Sequence, residues 1–175
     1  MEYNIDIYLK DEEKLNRYVL GKLNENPLFV IGLNPSTADE NKPDPTIRKV
    51  MGFAEGNGFD SFVMLNLYPQ RATKPSDLAI DICEINHSKN LTEIENILNS
   101  VSKPKILASW GEKIRERKYF SHCIKSIHEV TKNKNAEWLK IGELTKSGHP
   151  RHPLYPSYNL GISNFDINKY IEKIK

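Results

Sequence analysis

The sequence predicts an α/β protein with a central, mainly parallel sheet of four strands covered by helices on both faces. Three observations support this fold class. Short apolar runs alternate along the chain with stretches whose apolar residues recur at helical spacing. Polar and turn-forming residues follow each apolar run. The length of 175 residues is that of one domain.

The strands are predicted from short runs that are mostly apolar, each bounded by glycine, proline or polar residues. We expect them at residues 29–33, 61–67, 105–110 and 136–141. Residues 3–9 are a candidate for an added strand. Residues 11–25 fit a helix or a second short strand equally well, and we treat residues 1–26 as an extension packed on the single domain 1–175.

Three helices are predicted between these strands. The first begins with Asp44 as N-cap and Pro45 at the first helical position, and it ends at Gly56 and Gly58. Apolar residues at helical spacing mark the second helix between residues 91 and 101, and the third between residues 120 and 127.

Composition limits the class of protein. The contents of 38% hydrophobic and 27% charged residues are those of a globular chain, and no apolar run is long enough to span a bilayer. The N-terminus carries no secretion signal, so we expect a cytoplasmic protein whose two cysteines are buried free thiols. The cysteines and the histidines outside the last loop have no metal-ligand spacing, so we expect neither metal nor cofactor. The sequence does not predict the oligomeric state.

Charge is distributed unevenly along the chain. Residues 1–100 hold 10 basic and 16 acidic side chains, whereas residues 101–175 hold 15 and 7. A basic surface that contacts phosphates is one interpretation, and a solvated lysine-rich surface without a partner is the other.

The loops after the predicted strands contain the polar residues that we expect to form the site. In open α/β sheets the carboxyl ends of the strands meet at one edge, where ligands bind. The first loop reads GLNPSTAD, in which Gly32 permits close approach, Pro35 stiffens the turn, and Asn34, Ser36 and Thr37 supply polar groups. This loop suits an anion or a positioned water, or it is only a capped turn into a helix.

The second and third loops add four candidates. Asn66 ends a strand and either contacts a ligand edge or bonds a neighbouring loop, since an unpaired buried amide is costly. Arg71 either meets a phosphate or pairs with an acid such as Asp44. Trp110 offers a flat face for stacking, or it is a core residue with a bonded N–H. Tyr68 lies beside Asn66.

The last loop, GHPRHPLY, is the most specific feature of the chain. It places His149, Arg151, His152 and Tyr155 among prolines, which limit the entropy that these side chains lose on binding. Imidazole, guanidinium and phenol groups suit the stabilisation of developing negative charge. A rigid surface loop is the structural alternative.

Five of these motifs in order give the chain a family resemblance. GLNPSTAD, DPTIRK, NLYPQRAT, SWG and GHPRHPLY resemble the pattern of the bacterial and phage family called domain of unknown function 1643, from about Leu28 to Tyr155. That family implies no established activity.

The same motifs also resemble, more distantly, the uracil-DNA glycosylase superfamily. Residues 32–36 are similar to its Gly-Ile-Asn-Pro-Gly motif, 64–66 to Leu-Leu-Asn, 109–111 to Leu-Trp-Gly, and 149–154 to His-Pro-Ser-Pro-Leu with one extra residue. The resemblance implies a three-layer α/β/α sandwich around a four-stranded parallel sheet. Because of the extra residue, either His149 or His152 matches the superfamily's histidine.

The superfamily resemblance implies a role for each matching residue. Asn34 would position the hydrolytic water, Asn66 would contact a base edge, and His149 or His152 would bond the departing base. Arg151 would grip a phosphate, and Tyr68 or Phe53 would supply the stacking aromatic. Asn34 stands where the classical uracil enzymes have an aspartate.

Three functions remain open from the sequence. The first, which we favour, is a glycosylase-like hydrolase acting on a base in DNA or in a nucleotide. The second is a nucleotide- or nucleic-acid-binding module without turnover. The third is a hydrolase or transferase that acts on a free modified nucleoside.

Overall fold

The structure, a computed structural model, describes residues 1–174. This part of the chain folds into an α/β protein. Seven strands make one mixed sheet in the order β1-β2-β4-β3-β5-β6-β7. The strands are β1 (Ile7–Lys10), β2 (Arg17–Gly21), β3 (Pro27–Gly32), β4 (Ser61–Asn66), β5 (Lys105–Ala108), β6 (Glu137–Ile141) and β7 (Ile162–Asn164).

The four strands predicted from the sequence form the parallel core. β3 pairs in parallel with β4 on one side and β5 on the other, and β5 pairs in parallel with β6. All six residues of β3 are buried, as expected for a strand covered on both faces. Phe29 lies opposite Val63 of β4 and Ile106 of β5, so the centre of the sheet is apolar across three strands.

The predicted four-stranded sheet is too small, because three antiparallel strands extend it. β1 and β2 form a hairpin that joins the edge at β4, and β7 pairs with β6 at the other edge. β2 decides the ambiguous N-terminal segment in favour of a strand, with all five residues buried. β7 has only three residues, two of them exposed, and therefore leaves no apolar pattern in the sequence.

Helices cover both faces of the sheet. On one face, α1 buries Ile47, Val50 and Phe53 against β3 and β4. The other helices pack on the opposite face, where their apolar residues join a second cluster around Phe29 and Ile31. The helices within residues 1–174 are α1 (Pro45–Gly56), α2 (Glu84–Leu98), α3 (Tyr119–Thr131) and α4 (Ile167–Lys173).

The N-terminus of α1 follows the sequence prediction. The Asp44 side chain accepts a hydrogen bond from the Ile47 N–H at 2.9 Å, and Pro45 occupies the first turn. By contrast, α2 begins at Glu84, seven residues before the first apolar residue of the predicted helix. Its first turns bury His87 and Asn90, so hydrophobic spacing does not reveal them.

None of the helices in residues 1–174 has the length and apolar character needed to cross a bilayer.

The strand order has a consequence for the site. Because β3 lies between β4 and β5, the chain leaves β3 towards β4 on one side and later returns to β5 on the other. The carboxyl ends of β3 and β5 therefore border a topological switch point, where open α/β sheets bind ligands.

Candidate functional site

A cavity of about 510 Å³ lies at the switch point. Gly32, Leu33 and Asn34 line it from the end of β3, and Trp110 and Gly111 line it from the end of β5. The volume falls within the roughly 300–1,000 Å³ of small-molecule sites. The cavity is therefore large enough for a nucleoside or nucleotide.

Eight of the thirteen predicted site residues line this cavity, and five do not. The lining includes Gly32, Asn34, Ser36, Thr37, Trp110, Arg151, His152 and Tyr155. The cavity lining lacks Pro35, Asn66, Tyr68, Arg71 and His149. The first and last loops thus converge on one site, whereas most of the NLYPQRAT loop lies behind it.

The Asn34 amide is held in a fixed orientation. Its Nδ2 donates to the Pro35 carbonyl at 2.9 Å and to the Ala72 carbonyl at 2.8 Å, which ties the first loop to the second residue of the RAT segment. Both amide hydrogens are used in this way. The side-chain oxygen accepts no hydrogen bond within residues 1–174, so it remains an acceptor for water or ligand.

The His152 imidazole lines the cavity in a defined tautomer. Its Nδ1 accepts a hydrogen bond from the Leu154 N–H at 3.3 Å, so the neutral ring carries its proton on Nε2. Burial lowers the pKa of His152 to about 4, and the negative charge of Asp44 opposes that shift only in part. At neutral pH His152 is therefore an uncharged N–H donor.

Gly111 provides the space that His152 occupies. Its backbone, with φ 69° and ψ −168°, lies in a region that is essentially restricted to glycine. A Cβ atom at this position would lie 2.9 Å from the His152 Cβ, closer than real Cβ atoms approach one another. The glycine of the SWG motif therefore allows the last loop to pack closely against the end of β5.

His149 lies outside this cavity. Its Nδ1 is 2.9 Å from the Tyr170 hydroxyl, which in turn accepts the Trp110 Nε1–H at 2.9 Å, so Tyr170 donates to His149. The His149 Nε2 is buried without a partner within residues 1–174. His149 lines a separate cavity of about 450 Å³ with Arg115 and Lys118. Of the two candidate histidines, His152 is the one that lines the same cavity as Asn34.

Trp110 is both a core residue and a part of the cavity wall. It is buried in the core and packs edge-on against Trp138, and its N–H is bonded to Tyr170 rather than to backbone. It also forms part of the cavity wall.

Asn66 and Tyr68, which were predicted as site residues, do not line the cavity. Asn66 is fully buried, and with its amide assigned from the surrounding acceptors its nitrogen donates to the Asn34 and Leu65 carbonyls at 3.3 Å. Its side chain supports the first loop next to Gly32 and does not line the cavity. The Tyr68 hydroxyl accepts the Cys83 N–H, and Phe53 lies on α1 with its side chain buried in the core. Cys83 itself is exposed, whereas we expected both cysteines to be buried.

The cavity has mixed charge. Arg17, Lys113 and Arg151 line it together with Asp44 and Glu112. Arg151 uses its Nε to hold the Glu143 carbonyl at 2.8 Å. From the basic second half of the chain, Lys113 and Arg151 line the cavity. The Arg117 guanidinium instead donates to the backbone carbonyls of Ser76, Leu78 and Ala79.

Arg17 is a cavity residue that the sequence did not reveal. It lies on β2, within the segment whose secondary structure was ambiguous, and only 2% of its surface is exposed. Arg71, for which an ion pair with Asp44 was one alternative, instead donates to the Tyr8 hydroxyl and the Ala38 carbonyl. No spacing rule links Arg17 to the loops, because the contact depends on the packing of β2 beside β4.

The lowered pKa of His152 predicts a pH effect on stability. An unfolded chain protonates this imidazole near 6.5, but the folded chain does so only near 4, so the unfolded state binds more protons between these values. The stabilisation is present above pH 6.5 and is lost as the pH falls towards 4. Urea unfolding at pH 7 and pH 4.5 measures the loss, which we expect to be smaller in His152→Gln. An imidazole proton signal of His152 that titrates near 6.5 in the folded protein would contradict the assignment.

The fold and the site define an α/β protein with a cavity at the switch point of its parallel core. The chain belongs to the family described as protein of unknown function, DUF1643, whose sequence model matches residues 17–154. The matched range contains every cavity-lining residue except Tyr155 and Pro156.

Comparison with curated proteins and with solved structures gives no match. Nothing in these comparisons links the chain to the uracil-DNA glycosylase superfamily, so that resemblance stays a prediction.

Proposed function

We propose that the cavity binds a nucleobase and that the protein hydrolyses the N-glycosidic bond of a nucleotide, free or in DNA. The observation that supports this most is that Asn34 and His152, from the two most specific motifs, line one cavity of suitable volume. The motif resemblance to the uracil-DNA glycosylase superfamily and the α/β fold with helices on both faces agree with the proposal.

Asn34 is proposed to position the attacking water. An amide oxygen accepts a hydrogen bond from water but does not remove its proton, so Asn34 orients the nucleophile without acting as a base. The reaction then relies on early cleavage of the bond between the sugar and the base. The bonding electrons leave with the base, the water oxygen attacks the sugar carbon, and the released proton ends on the base or in solvent.

His152 is proposed to stabilise the departing base. Negative charge develops on the base as the glycosidic bond breaks, and the neutral Nε2–H is a donor that is already in place before that charge appears. Asp44 and Glu112 also line the cavity, and their carboxylates suit the positive charge that develops on the sugar. A nucleotide in duplex DNA would have to be flipped out to reach these groups.

A binding module without turnover is the second candidate function. It is favoured by the two hydrogen bonds of Asn34 to loop carbonyls, since these give Asn34 a structural role that needs no reaction. The absence of an aspartate at this position agrees with it. In that case Asn34→Ala would leave nucleotide affinity intact, and no substrate would release a base.

A base-release screen distinguishes the two candidates. The substrates are single- and double-stranded DNA containing uracil, hypoxanthine, mismatched bases or phage-modified bases, together with free nucleotides. We expect the wild-type protein to release at least one base and the folded Asn34→Ala variant to be slower by about 10²-fold or more, because the attacking water is no longer held in place. No release from any substrate, with thermal stabilisation by free nucleotides, would favour the binding module.

A further inference from the structure

Arg17 is a buried guanidinium on the wall of the cavity. It is 2% exposed, and its Nη1 donates to the Ala38 carbonyl at 3.2 Å. Its Nε is buried without any partner within residues 1–174. The guanidinium thus has unused donor capacity, and Arg17 is one of the residues that line the cavity.

A second guanidinium lies beside Arg17. Arg71 donates from Nη2 to the same Ala38 carbonyl at 3.1 Å and from Nη1 to the Tyr8 hydroxyl at 3.0 Å. Burial first, and then the charge of Arg71, lower the pKa of Arg17 to about 10, so the group is still charged at neutral pH. Two like charges therefore converge on one carbonyl oxygen.

No carboxylate forms an ion pair with either arginine among residues 1–174. Asp44 is the carboxylate whose field acts most on Arg17, but its side chain caps α1 by accepting the Ile47 N–H. A buried charge is normally paired, because its desolvation is otherwise uncompensated. A bound anion would pair with the buried positive charge of Arg17.

Phosphate is the anion that fits this arrangement best. A guanidinium presents a planar fork of N–H donors that matches phosphate oxygens. Thr46, in the first turn of α1, also lines the cavity, and its N–H makes no hydrogen bond within residues 1–174. The positive end of the α1 dipole adds to the attraction.

We propose that Arg17, with Arg71 beside it, forms an anion subsite of the cavity that binds the phosphate of a nucleotide. The choice of a nucleotide phosphate rests on the proposed function, whereas the existence of an anion subsite does not. Arg17 contacts the phosphate directly. Arg71 acts as a positioning residue that raises the local positive potential and holds the Ala38 carbonyl.

Isothermal titration calorimetry tests the subsite. The probes are deoxyuridine, deoxyadenosine, their 5′-monophosphates, a deoxydinucleoside monophosphate as phosphodiester, and inorganic phosphate. We expect at least one monophosphate to bind about 10- to 100-fold more tightly than its nucleoside. The phosphodiester arm shows whether the subsite prefers a free nucleotide or the backbone of a nucleic acid.

Three variants and one control assign the effect to the two arginines. Arg17→Met should abolish the difference between monophosphate and nucleoside, and Arg17→Lys should restore only part of it. Arg71→Gln should reduce the difference, and because Arg71 is partly exposed it remains informative if Arg17 variants do not fold. Arg48→Gln removes an exposed charge on α1 and should change nothing.

The outcomes separate the subsite from the proposed function. If a nucleoside binds and its monophosphate binds no more tightly to the wild-type protein, the subsite is wrong and the proposed function stands. If inorganic phosphate binds, Arg17→Met or Arg71→Gln weakens it, and no nucleoside adds affinity, the subsite stands and the proposed function fails. Equal phosphate binding in wild type, Arg71→Gln and a folded Arg17→Met also overturns the subsite.

Discussion

Replacing His152 by alanine is expected to slow base release about 10²–10³-fold, the cost of removing one preorganised donor from a site of developing negative charge. The structure supports this magnitude because the donor is fixed before the reaction begins. The Leu154 N–H holds the ring in the tautomer with Nε2–H, and burial keeps it uncharged at neutral pH. Single-turnover rates on the substrate found in the base-release screen measure the effect.

A matched control is available for His152→Ala. His122 is an exposed histidine on α3, on the face of the sheet opposite α1, and it does not line the cavity. His122→Ala should therefore leave the rate unchanged. If His152→Ala reacts at the wild-type rate while folded, His152 does not contact the departing base.

Replacing Gly111 by alanine is expected to damage both stability and function. The positive φ alone costs about 1–3 kcal/mol for a residue with a Cβ atom. The added Cβ would also meet the His152 Cβ at 2.9 Å, so the last loop must move away from the end of β5. We expect lower stability in urea unfolding together with a large loss of base release.

Gly58→Ala separates backbone strain from displacement of His152. Gly58 also has a positive φ, of 78°, but a Cβ atom there would meet no atom of residues 1–174 within 4 Å. This variant should lose stability and keep its rate. If Gly111→Ala and Gly58→Ala retain the same activity, the contact between Gly111 and His152 has no role in the site.

The parallel core was predictable from the sequence because its strands are buried on both faces. Continuous apolar runs such as residues 29–33 identify such strands without information from the rest of the fold. The edge strands lack this signal. β7 is short and mostly exposed, and β2 begins with a charged residue whose burial depends on tertiary packing.

The location of the cavity was also predictable, because the polar loops follow strands of a parallel sheet. Local pattern did not determine which side chains face it. Asn66 ends β4 as expected, but its amide bonds the backbone of the first loop and does not line the cavity. The extra residue in the last loop left two histidines equivalent in sequence, and the tertiary packing distinguishes them: His152 packs against Gly111 and lines the cavity, whereas His149 bonds Tyr170.

A crystal structure of the protein with deoxyuridine 5′-monophosphate or deoxyadenosine 5′-monophosphate tests the site most directly. We predict that the base lies between Asn34 and His152 and that the phosphate contacts Arg17. A nucleotide bound instead against Arg115, Lys118 and His149, with Asn34 and His152 free of ligand, would contradict the assignment of this cavity.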